Sequence, residues 1–443
     1  MKRRSRLRSW KDTDNKEVYT FIGILLNMGI VQLPSVQSYW STEWTSHVPF
    51  FAKAMNRDRF LLLYHTMLHV CSTDPNHRTR GDKIQPLVTK LVNKFQHYFV
   101  PYKNISADES MIGFKGRVIF RQYVPKKPVK WGILARTLAD GETGYMCNIN
   151  IYYGRDGEAE PDDNLTKTSR SVMKLIEPYL DKGYHIFADR LYNSVELAKA
   201  LYNRNTYLTG TILLNRKGIP NELKGKRWKR GDRKALRCDN VMVTNWVDKR
   251  CVTLISTCYN GNETVEKQIK GRDTPVVKPN VVEKYNCYMG GVDKCDQLNQ
   301  YYSFARRSLK WYKKVFFWLI ELCAINSYIL YKLSRNPPIP KKKLTLLVFR
   351  KQLVTGLVSL PVYDDHSPPP PKRGRPMQDA PLERLDGRLH VLGKIDDGKQ
   401  RKCVVCSAKG NRSESVHYCS TCGSHPALHP APCFGLYHTK KNY

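Results

Sequence analysis

Seven soft-metal ligands crowd the end of the chain in the pattern Cys403-x2-Cys406-x12-Cys419-x2-Cys422-x6-His429-x3-Cys433-x4-His438. The apolar residues among them, chiefly Val404, Val405, Leu428, Phe434 and Leu436, are too few to make a core. Metal must therefore supply most of the folding free energy of this stretch. One tetrahedral Zn2+ takes four ligands. Seven imply two ions in a cross-braced arrangement, with His417 or His425 as candidates for the eighth ligand. Residues 400–443 thus read as a Cys/His-rich zinc-binding domain.

Charge names the partner. The 443 residues carry 74 Lys+Arg against 39 Asp+Glu, a formal net charge of +35. A chain so basic repels itself unless it meets a polyanion, and nucleic acid is the expected one. A membrane is not expected: the longest apolar run, Val315 to Tyr331, is broken by Glu321, Asn326 and Ser327 and reads as a buried helix. The basic opening "MKRRSRLRSW" leads into no apolar segment of the secretory kind. Of 13 cysteines, five lie in the terminal motif, which suits a reducing compartment and metal binding rather than a disulfide framework.

Upstream, residues 11–102 show apolar positions at three- and four-residue spacing and predict four or five helices. At Ser106 the texture turns to short β-rich runs. Asp108 and Glu109 open a basic, aromatic ribbon containing Lys115, Arg117, Arg121, Lys126, Lys127, Lys130 and Arg136 among Phe114, Phe120, Tyr123 and Trp131. An acid beside such a ribbon suits a phosphodiester site: the carboxylate holds a cation and the basic groups hold the strand. Asp189 closes a predicted strand "YHIFAD", before a helix opened by Asn193-Ser194. In open α/β sheets the carboxyl ends of strands face the site. Within "YNCYMGGVDKCDQLNQYY", Asp293 and Asp296 fall one turn apart on one helix face. Arg306, Arg307 and Lys310 lead into the long apolar helix, and Arg373-Gly374-Arg375-Pro376 in the Pro-rich linker is the kind of extended Arg pair that lies in a narrow minor groove.

Taken together, "DESMIGFKGRVIFRQYVPKKPVKWGI", "YNCYMGGVDKCDQLNQYYS" and the Cys/His tail closely resemble the piggyBac transposases and piggyBac transposable element-derived proteins, from about Trp10 onward. The resemblance implies an α/β, ribonuclease H-like catalytic core with a β-rich insertion, a flanking helical DNA-binding and dimerisation region, and a C-terminal cross-braced zinc-binding domain. It divides the chain into a helical region (11–102 and 303–360), a core (103–217 and 280–302), an insertion (218–279), a basic linker (361–399) and the zinc domain. Asp108, Asp189 and Asp293 match the family's three catalytic aspartates, with Asp296 an additional acid. Three carboxylates suit Mg2+ or Mn2+, and two such ions can serve an in-line phosphoryl transfer. The implied activity is cut-and-paste transposition through a hairpin intermediate at a TTAA target, on double-stranded DNA bearing terminal inverted repeats, by a nuclear homodimer. Lys115, Arg117, Arg121, Lys130, Arg306, Arg307, Lys310, Arg373 and Arg375 are the expected DNA contacts.

Where the family often has Asn after the second aspartate, this chain has Arg190, a cation expected to compete with metal. Two other readings fit the residues: a catalytically idle DNA-binding protein of the same fold, and a chromatin reader that uses its zinc tail.

Overall fold

The computed structural model describes residues 10–66, 79–125, 127–154, 165–224, 228–268, 275–334, 344–358 and 382–440. Among the described residues four α-helices precede the sheet: α1 (Asn15–Ile30), α2 (Pro49–Ala54), α3 (Arg57–Thr66) and α4 (Gln85–Tyr98). Asp14 caps α1 by accepting the Glu17 N–H at 2.6 Å. The helix buries Phe21, Ile24, Leu25, Leu26 and Met28, so burial extends around most of its circumference, as for a helix inside a core.

The core follows as β1 (Asn104–Gly113), β2 (Gln122–Tyr123), β3 (Trp131–Asp140), β4 (Met146–Ile151), α5 (Lys167–Ile176), β5 (His185–Ala188), α6 (Val195–Tyr202) and β6 (Tyr207–Thr211). Strand β3 lies between β1 and β4, antiparallel to both, while β5 and β6 run parallel on the other side of β1. Three antiparallel strands continued by two parallel ones make the ribonuclease H-like sheet.

The stretch read as an insertion does not stand apart. Its strands β7 (Arg233–Cys238), β8 (Val241–Val247) and β9 (Cys251–Ser256) extend the same sheet, because β9 pairs antiparallel with the free edge of β6. A separate ribbon of β10 (Thr264–Lys267) and β11 (Val276–Pro279) then leads to α7 (Asn280–Tyr288), α8 (Gly291–Tyr301), α9 (Trp311–Leu333) and α10 (Leu346–Val358).

Helix α9 is long and apolar enough to cross a membrane, yet 61% of that window is buried in the protein. Of its three polar breaks, Ser327 is exposed, while Glu321 and Asn326 are buried and paired. The Asn326 amide donates to the Met146 carbonyl at 3.0 Å and accepts the Met146 N–H at 2.9 Å, completing β4 from the side. The Glu321 carboxylate accepts Arg350 at 2.7 and 3.0 Å and the Phe304 N–H at 3.2 Å. Arg350 also donates to the Leu26 carbonyl at 3.0 Å. One ion pair thus ties α1, α9 and α10 to the chain leaving α8.

The described residues 382–440 belong to a second compact unit. It contains β12 (Leu392–Lys394), β13 (Arg401–Lys402), α11 (Val404–Ala408), β14 (Glu414–Ser415), β15 (His417–Cys419) and α12 (Cys433–Thr439). The short ladders pair β12 with β15 and β13 with β14. Because β12 pairs into the module, its folded part starts before residue 400, the boundary read from the sequence.

Candidate active site and metal centres

Register brings the first two acids together. Ala107 of β1 pairs with Ala188 of β5, so the next residues sit side by side, Asp108 midway along β1 and Asp189 just past the carboxyl end of β5. Asn193 fixes this edge: its amide donates to the Ala188 and Thr211 carbonyls, both at 2.9 Å. Gly210 on β6 makes room, since a Cβ there would lie 2.0 Å from the Ala188 carbonyl oxygen and 2.2 Å from the Asn193 amide. Asp189 accepts the Leu191 N–H at 2.6 Å, and Ser194 caps α6 by accepting from Leu197 at 3.0 Å.

The other two acids come in on α8. Gly291 lets that helix seat its first turn on the sheet: a Cβ would fall 2.5 Å from Ser106 Oγ and 2.7 Å from the Asp140 carbonyl oxygen. Asp293 is exposed in the first turn. Asp296, one turn on, is half-buried and accepts Ser110 Oγ–H at 3.0 Å.

Charge crowds this edge. Burial, and then the nearby Asp293 and Asp189, push Asp108 above the usual carboxylate range against the pull of Lys127. Burial drives Asp296 up to about 7, with Asp108 and Asp293 adding to it and Ser110 and Lys127 opposing. Glu109 also reaches about 7, again mainly by burial. Hard oxygens brought together from three chain segments fit a divalent cation.

The cation that the structure puts against these acids is Lys127. Its Nζ lies 3.4 Å from Asp108 Oδ2 and 2.8 Å from the Glu109 carbonyl oxygen. Arg190, singled out by the sequence as the competing cation, is exposed and in no ion pair among the described residues. The difference is geometric: the chain turns away after Asp189, whereas the β2–β3 loop folds back over β1.

A groove of about 950 Å3 runs beside the acids, lined by Phe114, Lys115, Lys130, Trp131, Arg307 and Leu309. Pro128, Val129 and Lys314 also border a smaller cleft of about 240 Å3 that reaches Lys127 and Asp296. Lys115, Arg117, Lys130, Arg307 and Lys310 are exposed. Two expected DNA contacts are instead engaged within the protein. Arg121 packs 4.4 Å over the Trp131 ring and donates to the Lys115 carbonyl at 3.0 Å. Arg306 donates to Tyr39 Oη at 2.5 Å and to the Pro34 carbonyl at 3.2 Å. A guanidinium has enough donors to staple a loop, and both arginines are used that way. Arg373 and Arg375 lie outside the described residues, as does Lys126.

In the terminal unit the ligands sort into two groups, Cys403, Cys406, His429 and Cys433, and His390, Cys419, Cys422 and His438. The residue that completes the second group is His390, not His417 or His425: His417 belongs to neither group, and the His425 ring nitrogen points to the Cys419 carbonyl oxygen at 3.3 Å. Ligand-to-ligand distances are 3.6 Å for Cys406 to Cys433, 3.6 Å for Cys406 to His429, and 3.5 Å for Cys422 to both His390 and His438. Zn–S and Zn–N bonds of about 2.3 and 2.0 Å at a tetrahedral angle span edges of this size. The outer ring nitrogens are held as ligating histidines require: His429 Nε2 against the Glu414 carbonyl oxygen at 3.1 Å and His438 Nδ1 against that of Phe434 at 2.9 Å. Along the chain the ligand pairs alternate between groups, which is the cross-brace. An eighth ligand ahead of Cys403 completes that alternation, a signal available in the sequence once the module is not cut at residue 400.

Comparison with known proteins agrees with this architecture. A family profile described as Transposase IS4 matches residues 1–328, and one described as DDE_Tnp_1-like zinc finger matches 386–439. Human PiggyBac transposable element-derived protein 3 is 28% identical across 96% of the chain and 70% of its own length. Human PiggyBac transposable element-derived protein 2 is 26% identical across 89% and 66%. The chain therefore spans about two thirds of the length of these relatives. A solved structure of a piggyBac transposase synaptic complex with hairpin DNA superposes with a TM-score of 0.70 at 22% identity, covering 96% of this chain and 89% of that one. With both the core and the terminal module matched, the chain belongs to the Transposase IS4 family and, within it, to the piggyBac transposases and piggyBac transposable element-derived proteins.

Proposed function

We propose that the protein is a DNA transposase that cleaves and rejoins strands by metal-assisted phosphoryl transfer. The observation that carries this is the meeting of Asp108, Asp189 and Asp293 at one sheet edge, beside a basic groove with exposed aromatic and apolar walls. Those three carboxylates would hold Mg2+ or Mn2+, which when bound polarises the phosphate and activates the attacking oxygen. Lys115, Lys130 and Arg307 hold the phosphate backbone, while Leu309 and the exposed part of Trp131 offer apolar contact to the strand. Asp296, its pKa raised to about 7 by burial, accepts the Ser110 hydroxyl beside the three carboxylates. Water first cleaves one strand at the element end. The freed 3′-OH then attacks the opposite strand, giving a hairpin, and after its reopening attacks a TTAA target. Each step exchanges one phosphodiester oxygen for another, so no covalent protein–DNA bond is needed.

The zinc module, with the helical region, recognises the terminal inverted repeats, and a homodimer in the nucleus pairs two ends. Family membership and the cross-braced ligand groups support this reading. The test incubates the full chain with a plasmid bearing the repeats that flank its coding sequence, in Mg2+ or Mn2+. Nicking at the element ends is expected, and Asp108→Ala, Asp189→Ala and Asp293→Ala should each abolish it while DNA binding persists. Cleavage retained by the Asp293 variant would overturn the assignment. Binding without any cleavage would leave an idle DNA-binding member of the fold.

A further inference from the structure

Both oxygens of Asp108 are already engaged. Oδ1 accepts the Glu109 N–H at 2.7 Å, and Oδ2 faces Lys127 Nζ at 3.4 Å. The Lys127 and Asp108 side chains keep 25% and 13% of their exposure, so water screens the pair only in part. The ammonium has a second anchor in the Glu109 carbonyl oxygen at 2.8 Å, and Asp293, Glu109 and Asp296 all lie within its field. Among the described residues it is the cation ion-paired to this cluster.

We propose that Lys127 is the built-in counter-ion of the acid cluster, and that a divalent ion loads only by taking Asp108 Oδ2 from it. This rests on the reading of Asp108, Asp189 and Asp293 as metal ligands. Without metal, the ammonium offsets the mutual repulsion of the carboxylates. When metal takes Oδ2, the ammonium keeps its bond to the Glu109 carbonyl, which lies on β1 and does not move with the Asp108 side chain. The exchange therefore leaves no buried charge stranded, and Lys127 remains at the mouth of the site, where a strand phosphate can become its new partner. Lys127 acts through Asp108 and is a positioning residue. Its effect is to weaken metal binding in the absence of DNA and so to restrain stray cleavage.

The test measures Mn2+ binding to the full, zinc-loaded chain without DNA, from the loss of the free-ion electron paramagnetic resonance signal. Lys127→Met should bind Mn2+ about tenfold more tightly than the unaltered protein, the effect of removing one contacting cation. Lys127→Arg keeps the charge and offers a better carboxylate fork, so its affinity should be no tighter than the parent's. If Lys127→Met fails to fold, Lys127→Gln serves with the same expectation. Equal or weaker Mn2+ binding after removal of the charge would overturn the proposal. Asp108→Asn should lose the Mn2+ site, and its retention would instead overturn the reading of Asp108 as a ligand.

Discussion

Replacing Arg350 by Met should unsettle the helical layer and with it the helix that carries Asp293. Arg350 and Glu321 keep only 3% and 2% of their side-chain exposure. Their carboxylate–guanidinium contact is doubly bonded, at 2.7 and 3.0 Å. Removing one partner of such a pair strands the other charge, at a cost of about 3–5 kcal/mol. Burial already raises the Glu321 pKa, and Arg350 opposes that rise. Without Arg350 the folded-state pKa climbs further above the unfolded value. An acid shifted this way stabilises the fold while protonated and loses that contribution as pH rises through its folded pKa. The deficit of Arg350→Met should therefore be larger at pH 8 than at pH 5. Glu321→Leu/Arg350→Met, which leaves no buried charge, should recover stability relative to Arg350→Met, with a coupling of about 2 kcal/mol or more. Urea unfolding followed by tryptophan fluorescence, as a double-mutant cycle at both pH values, reads all of this. A cost below about 1 kcal/mol for Arg350→Met, or a deficit independent of pH, would refute the argument.

Asp296→Asn should stabilise the metal-free protein at pH 8 but not at pH 4: a carboxyl raised to about 7 loses its stabilising neutral form as pH climbs. The gain is at most about 4 kcal/mol, at about 1.4 per pKa unit, and melting temperatures across pH will check it. Zinc analysis of the full chain should return two ions, with His390→Ala losing one while His417→Ala and His425→Ala keep both. Arg190→Asn should change plasmid cleavage by less than about threefold, because its exposed side chain makes no ion pair with the acids; a tenfold rise would restore it as a brake.

Local patterns foretold much of the architecture. Helical periodicity marked α1 and α9, the polar breaks in α9 marked it as a buried core helix, and CxxC spacing marked the terminal module. Asp108 stood out as an acid opening a basic, aromatic ribbon, Asp189 as the end of a strand, and Asp293 as one of two acids a turn apart on one helix face. What escaped the sequence depends on contacts between distant segments. Nothing in "VPKKPVKWG" says that Lys127, rather than Lys126 or Lys130, folds back onto Asp108. Arg121 and Arg306 looked like free cations because their carbonyl partners have no sequence signature. Strands β7–β9 looked separable because edge pairing with β6 is a backbone event that any sequence of β propensity can make.

The alternation of ligands in the terminal module has a mechanical side. Its outermost ligands, His390 and His438, belong to the same group, and their rings stack 4.0 Å apart. The chain thus enters and leaves the module at one point, clasped by a single ion when metal is bound. Tension applied between the two ends would load the Arg384 bond to the Lys440 carbonyl at 2.9 Å and then that ion's bonds, leaving the Cys403, Cys406, His429 and Cys433 group slack inside the loop. Trimming from either end would open the same clasp, so the module should fail first at one site whichever terminus is pulled or cut.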